Sequence, residues 1–316
     1  NIVIQKLMQY KKPSGINWDT DEREYGYKAY LKSCQKFRVP DGIRLHDYQE
    51  EAVQVWQANG YKGIFDMCTG SGKTYTALYG MIQLSKSLDE KLAVFIVCPY
   101  IHLVSQWEED VEKWCSVPII IAHSKSPNRE WKKDLMMAYK RFRKEGSPFV
   151  CITTNDSFAG EELQQYIVRF SETQNVLLIV DEAHNFGSVQ MINVMPWNIP
   201  YRIALSATIK RYMDKTGTNK INQFFGEKCI EYTLEQAIAD GNLVHYDYIP
   251  IPVVLSEHEL LRYKQLSQKL KKYIVVKNGK MKISEAGKPI IYERTRLLAG
   301  AENKIGVLIN LFQKYY

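Results

Sequence analysis

Met67-Cys68-Thr69-Gly70-Ser71-Gly72-Lys73-Thr74 follows the strand-like run Gly63-Ile64-Phe65 and precedes Tyr75 to Leu84, which reads as a helix. In a glycine-rich turn between strand and helix, backbone amides converge on a phosphate chain, aided by the helix amino terminus. A lysine there neutralises the β and γ phosphates, and the hydroxyl after it meets Mg²⁺. Thr69, Gly70, Ser71, Gly72, Lys73 and Thr74 therefore read as a nucleoside triphosphate site, although Met67 stands where the strict pattern begins with Gly.

Further along, the apolar run Val176 to Val180 ends in Asp181-Glu182-Ala183-His184. A carboxylate at the tip of a buried strand beside a phosphate loop can hold Mg²⁺, and a second can deprotonate the attacking water. Asp181 and Thr74 are the expected Mg²⁺ residues; Lys73, Asp181 and Glu182 are the expected catalytic group, with Glu182 as base.

Other β-branched or apolar runs alternate with helical patterns: Leu92 to Cys98, Val117 to Ile121, Phe149 to Thr153 and Arg202 to Ser206. Alternation of this kind predicts an α/β fold with a parallel sheet flanked by helices. The 316 residues are about twice one ordinary domain, and the composition, 45% hydrophobic and 24% charged, is that of a globular protein. The longest apolar run, Leu92 to Cys98, falls far short of the ~20 residues of a spanning helix, so no membrane partner is expected. None of the six cysteines has Cys-x-x-Cys spacing; they read as reduced thiols of a cytoplasmic protein. The net charge of +7 permits a polyanionic partner without requiring one.

The expected division is an extension of unknown role over residues 1–40, an ATP-binding lobe over 41–232 and a further region over 233–316. Leu234 to Ile238 starts a short helix that Gly241 ends, and Ile249 to Leu255, with Pro250 and Pro252, reads as an edge strand. Ser256 and Glu259 form a capping-box signature, and Tyr263, Leu266, Leu270 and Tyr273 continue that helix. Lys277 to Lys288, rich in Gly and Lys, reads as a loop or a disordered insert.

With Met67 to Thr74 and Asp181 to His184 both present, the chain resembles superfamily 2 helicases and translocases of the DEAH-box type. Leu45-His46-Asp47-Tyr48-Gln49 is similar to a stretch of the branch that holds type I and type III restriction motors and XPB-like repair helicases. The resemblance implies that Gln49 reads adenine. Val97-Cys98-Pro99-Tyr100 with Gln106 resembles motif Ia, and Thr154-Asn155-Asp156-Ser157-Phe158 resembles motif Ib. It therefore implies nucleic-acid contacts at Pro99, Tyr100, Gln106, Thr154 and Asn155. Ser206-Ala207-Thr208 looks like motif III, which with His184 would couple hydrolysis to nucleic-acid engagement.

The resemblance spans roughly residues 44 to 316 and departs from the family at Ile209 and Tyr100, where proline and threonine are usual. It implies a RecA-like lobe followed by the beginning of a second, with Lys304 to Phe312 as that lobe's first helix. The chain starts at Asn1 and ends before motifs IV, V and VI, whose arginine completes hydrolysis, so these residues alone are expected to turn over ATP weakly or not at all. The activity implied is an ATP- and Mg²⁺-dependent DNA motor in restriction, defence or repair. It would work on double-stranded DNA rather than RNA, with nuclease or methyltransferase subunits as partners. A catalytically silent nucleic-acid-binding or scaffold protein on the same fold is the alternative, disfavoured by the intact Lys73, Asp181 and Glu182.

Residues 125–145 add a basic stretch in which Trp131, Leu135, Tyr139 and Phe142 keep helical spacing. Lys140, Arg141, Arg143 and Lys144 lie off that apolar stripe and are candidate phosphate contacts, against the plainer reading of a solvated face. Trp107 and Trp114, seven residues apart, read as core rather than as base-stacking platforms.

Overall fold

A computed structural model describes residues 36–171, 175–212, 214–277 and 280–315. Of the extension expected over residues 1–40, everything up to residue 35, including Cys34, lies outside the described residues. The chain forms two compact units, one ending at His245 and one beginning at Tyr246.

The first unit contains a sheet of seven strands among the described residues: β1 (Lys62–Met67), β2 (Ala93–Cys98), β3 (Ile119–Ala122), β4 (Phe149–Thr154), β5 (Val176–Val180), β6 (Tyr201–Ser206) and β7 (Lys228–Tyr232). Their order is β3-β4-β2-β5-β6-β1-β7, and every neighbouring pair is parallel. A parallel sheet needs cover on both faces, and β2, β4 and β5 are buried along their whole length, which is why their sequences are continuously apolar. The cover comes from α1 (Asp47–Ala58), α2 (Lys73–Ser87), α3 (Ile101–Trp114), α4 (Trp131–Glu145), α5 (Asn155–Phe158), α6 (Glu161–Ser171), α7 (Val189–Asn193) and α8 (Lys215–Phe225), with α9 (Leu234–Ala239) after β7.

Strand side chains alternate between two core layers. Val94 and Ile96 of β2 pack in one layer with Trp56, Leu78 and Trp114 of α1 to α3. Phe95 and Val97 face the other, with Leu135, Ile167 and Phe224 of α4, α6 and α8. This is a RecA-like α/β lobe. Parallel strands all end on one edge, so Met67, Cys98, Thr154, Val180 and Ser206 share it. Because β6 lies between β1 and β5, the tips carrying the phosphate loop and Asp181 are two strand spacings apart, roughly 10 Å.

The second unit holds α10 (Glu257–Lys271), a hairpin of β8 (Ile274–Lys277) and β9 (Lys280–Ile283), α11 (Lys288–Ala299) and α12 (Asn303–Tyr315). The capping box at Ser256 and Glu259 forms as the sequence indicates. Two expectations need correction. Of Lys277 to Lys288, positions 278 and 279 lie outside the described residues and the rest is not a loop: β8 and β9 pair antiparallel, Ile274 opposite Ile283, and α11 starts at Lys288. Asn278-Gly279 between the strands is a hairpin signal that outweighs the lysine-rich composition. Ile249 to Leu255 forms no strand, since Pro250 and Pro252 remove amide donors and no described strand pairs with it.

Candidate nucleotide and nucleic-acid site

The phosphate loop leaves β1 at Met67 and closes on one carbonyl. Cys68 O accepts the Ser71 amide at 3.3 Å, the Ser71 hydroxyl at 2.7 Å and the Lys73 ammonium at 3.4 Å. Gly70 and Gly72 have φ of +85° and +78°, a region L side chains avoid. A Cβ on Gly72 would fall 2.5 Å from Gln49 Nε2, and one on Gly70 would fall 2.9 Å from Leu243 Cδ2. The cradle is thus built for glycine at both turns. Lys73 begins α2 and Thr74 follows it, both half-buried.

Gln49 sits inside this cradle. Its Oε1 accepts the His46 amide at 2.9 Å, and its Nε2 donates to Gly72 O at 3.1 Å, bolting the start of α1 to the loop. Beside it, Tyr48 donates to Ser71 O at 2.9 Å and stacks on Tyr232 with centroids 4.1 Å apart. Burial, then Tyr232, Cys68 and Asp240 nearby, push the Tyr48 hydroxyl up to about 12, so it stays a donor at neutral pH. The supporting role of Tyr48 and Tyr232 escaped the sequence reading, since Tyr232 comes from β7, at the far end of the unit.

Asp181 follows β5, its amide donating to Val97 O at 2.9 Å. Its Oδ1 accepts the Glu182 amide and its Oδ2 the Trp107 indole N–H, each at 2.9 Å. Trp107 and Trp114 are core residues, 2% and 0% exposed, as their spacing indicates, but Trp107 also has a polar contact that spacing does not reveal. Glu182 adopts φ +45°, a strained setting for a residue with a side chain. His184 Nδ1 lies 3.3 Å from Glu182 Oε2 and 3.4 Å from Ser206 Oγ, and Ser206 Oγ accepts the Thr208 amide at 3.2 Å. Ala207 is half-buried between them, and Arg211 donates to the His184 carbonyl. One relay thus joins the tips of β5 and β6.

Pro99 and Tyr100 follow β2, with Tyr100 60% exposed ahead of α3 and Gln106 exposed on that helix. Thr154 ends β4, and its hydroxyl accepts the Ser157 amide at 3.3 Å; Asn155 opens α5 with a buried Oδ1 that lacks a partner among the described residues. Lys140, Arg141, Arg143 and Lys144 are elsewhere. They occupy the tail of α4, where Arg143 and Phe142 border Lys91 and Asn175, residues that precede β2 and β5. The structure does not bring these four candidate phosphate contacts together with Thr154: they lie toward the opposite edge of the sheet. Cys98, Cys115, Cys151 and Cys229 are free thiols whose pKa values burial raises, so they are protonated at neutral pH.

Among the described residues no group of three or more His, Cys, Asp or Glu could hold a metal. The oxygen pair Thr74 and Asp181 nevertheless suits Mg²⁺, which keeps waters and takes phosphate oxygens as its remaining ligands. Among the described residues no helix is long and apolar enough to cross a membrane.

Residues 42–211 match the family described as type III restriction enzyme, res subunit. The chain belongs to this family. It is also similar to the DNA 3'-5' translocase XPB2 of Sulfurisphaera tokodaii, 24% identical over 299 residues that span 88% of this chain and 59% of the relative. The chain thus spans little more than half the length of that curated relative. Among solved structures, the ATP-dependent type ISP restriction-modification enzyme LlaBIII bound to DNA aligns over 72% of this chain and 18% of its own, at 19% identity and TM-score 0.49. The UvsW helicase of bacteriophage T4 aligns over 65% and 66%, at 16% identity and TM-score 0.40. The res-subunit match places the chain among superfamily 2 helicase-type motor lobes.

Proposed function

We propose that the chain is the nucleotide-binding lobe of an ATP-dependent DNA translocase or helicase. Gly70, Ser71, Gly72 and Lys73 would bind the triphosphate, Thr74 and Asp181 would hold Mg²⁺, and Glu182 would take a proton from the attacking water. The metal supplies charge neutralisation at the β and γ phosphates. Gln49, fixed at the loop, would read adenine. Pro99, Tyr100, Gln106, Thr154 and Asn155 would border the nucleic acid, with duplex DNA the proposed substrate and nuclease or methyltransferase subunits the proposed partners.

The observation that carries this reading is the contact series Glu182–His184–Ser206–Thr208. A silent scaffold has no use for a base wired to a neighbouring strand tip. A site that must register both nucleotide and nucleic acid does.

Calorimetry of Mg·ATP binding with two variants tests it. Lys73→Ala should weaken binding, because the phosphates lose their point charge. Glu182→Gln should bind normally, because only the proposed base is lost. Loss of binding in Glu182→Gln with full binding in Lys73→Ala would refute the assignment.

A further inference from the structure

A cavity of about 710 Å³ opens between the loop joining β3 to α4 and the segment from α5 to α6. Lys125, Arg129 and Lys132 line it, and the acid among its lining residues, Glu162, is paired with Lys132. Lys125 and Arg129 are exposed, and neither side chain has a hydrogen bond or ion pair among the described residues. Ser126 also lines the cavity; it is 9% exposed, and its buried hydroxyl has no partner among the described residues. An unmet buried hydroxyl beside two free cations is an unfavourable arrangement for an empty protein and a suitable one for an anion.

The loop is held in this shape. His123, buried at the end of β3, accepts the Lys125 amide on Nδ1 at 3.2 Å, which leaves the ring proton on Nε2. Asn128 accepts the Glu130 amide at 2.9 Å and donates to Asp134 at 2.6 Å, fixing the entry to α4. The cavity also shares a residue with the proposed track: Ser157 lines it and accepts the Thr154 hydroxyl at 3.2 Å.

We infer that this cavity is a phosphodiester site that grips the nucleic-acid backbone beyond Thr154 and Asn155, through Arg129, Lys125 and the Ser126 hydroxyl. The inference rests on the proposed DNA-motor reading and adds a contact outside its motifs. A strand lying over Thr154 and Ser157 would pass this cavity, which Arg129 also lines. Such contacts fix the register of a strand without reading its bases.

The test is oligonucleotide binding by fluorescence anisotropy across a salt series, using Lys125→Ala/Arg129→Ala. Lys140→Ala/Arg141→Ala, with the same change of charge on the opposite edge, is the control. The first pair should weaken binding equally for all sequences and reduce the salt slope by about 1 to 2, as expected for one or two lost phosphate contacts. Mg·ATP binding should not change, and the control should keep the parent slope. Equal losses in both pairs would reduce the effect to net charge and overturn the inference. An unchanged slope with loss of inorganic phosphate binding would make this a free-anion site, and loss of binding to an acidic peptide alone would make it a protein contact; either result overturns the inference but leaves the motor reading intact. Failure of the unsubstituted protein to bind any nucleic acid would overturn both.

Discussion

The indole of Trp107 donates a 2.9 Å hydrogen bond to the carboxylate of Asp181, across 74 residues of chain. Trp107 lies on α3, behind the strand tip that Asp181 extends, and its ring is buried in the core layer. A packed ring with one polar edge is a rigid donor, so it fixes the orientation of the Asp181 carboxylate, the proposed metal ligand. The Glu182 amide holds the other oxygen in the same way.

Trp107→Phe should therefore retain the fold while removing that donor. Partners that orient a metal ligand typically change metal affinity by about 10- to 100-fold. Manganese binding in the presence of a non-hydrolysable nucleotide, followed by electron paramagnetic resonance, should weaken on that scale, while metal-free nucleotide binding should hold. Unaltered manganese affinity would leave Trp107 as a core residue only.

Six strands were legible because each is a continuous or nearly continuous apolar run, from β1 through β6. β7 was not. In Lys228-Cys229-Ile230-Glu231-Tyr232 only Cys229 and Tyr232 are buried, and Lys228 is accommodated by an ion pair to the buried Asp66 at 2.6 Å. Sequence spacing cannot announce a partner so far away in the chain. The position of the basic stretch was not legible for another reason. Its helix is real, but 15 residues of α4 extend about 22 Å, enough to carry Lys144 from the functional edge to the other side of the sheet. Periodicity gives the face of a helix and not which end meets the site. That the loop and the carboxylates meet was legible because each follows a strand, and a parallel sheet brings strand ends together.

Stability should respond to pH through His123. Burial lowers its pKa below the ordinary 6.5, and its Nδ1 must stay unprotonated to accept the Lys125 amide. The unfolded chain therefore takes up the proton first as pH falls. This contribution is complete above about 6.5 and is lost as pH drops toward the lowered folded value. Urea midpoints measured at pH 7.5 and 5.5 should differ less in His123→Gln than in the parent. An identical difference would mean that other groups carry the dependence.

Arg202 should be a large stability determinant with no part in chemistry. It is 4% exposed on β6 and donates to Ile199 O at 2.7 Å, Phe224 O at 2.6 Å and Trp197 O, with its guanidinium 4.2 Å from the Phe224 ring centroid. Burial pushes its pKa down to about 10, still far above neutral, so it remains charged. Arg202→Met would leave three carbonyls without a donor; at about 1 to 3 kcal/mol for each one that stays buried, the loss should be at least about 2 kcal/mol. Urea denaturation should show it. A midpoint within error of the parent would mean that the carbonyls find water.

Gly72 and Gly42 separate backbone strain from the function of the loop. Both have positive φ, +78° and +84°, so alanine at either site should cost about 1 to 2 kcal/mol from conformation alone. Nothing lies within 4 Å of a Cβ at Gly42, whereas a Cβ at Gly72 would fall 2.5 Å from Gln49 Nε2. The Gln49 amide cannot simply swing away, because its Oε1 caps α1 through the His46 amide while its Nε2 serves Gly72 O. Relief of the clash must break one of these bonds or shift the loop whose amides are proposed to face the phosphates. Gly42→Ala should accordingly lose stability and keep nucleotide affinity, while Gly72→Ala loses both. Adding Gln49→Ala to Gly72→Ala removes the clash but not the strain, so it should recover loop geometry only in part. If thermal melting and calorimetry give the two single variants the same profile, the close approach of Gln49 has no bearing on nucleotide binding.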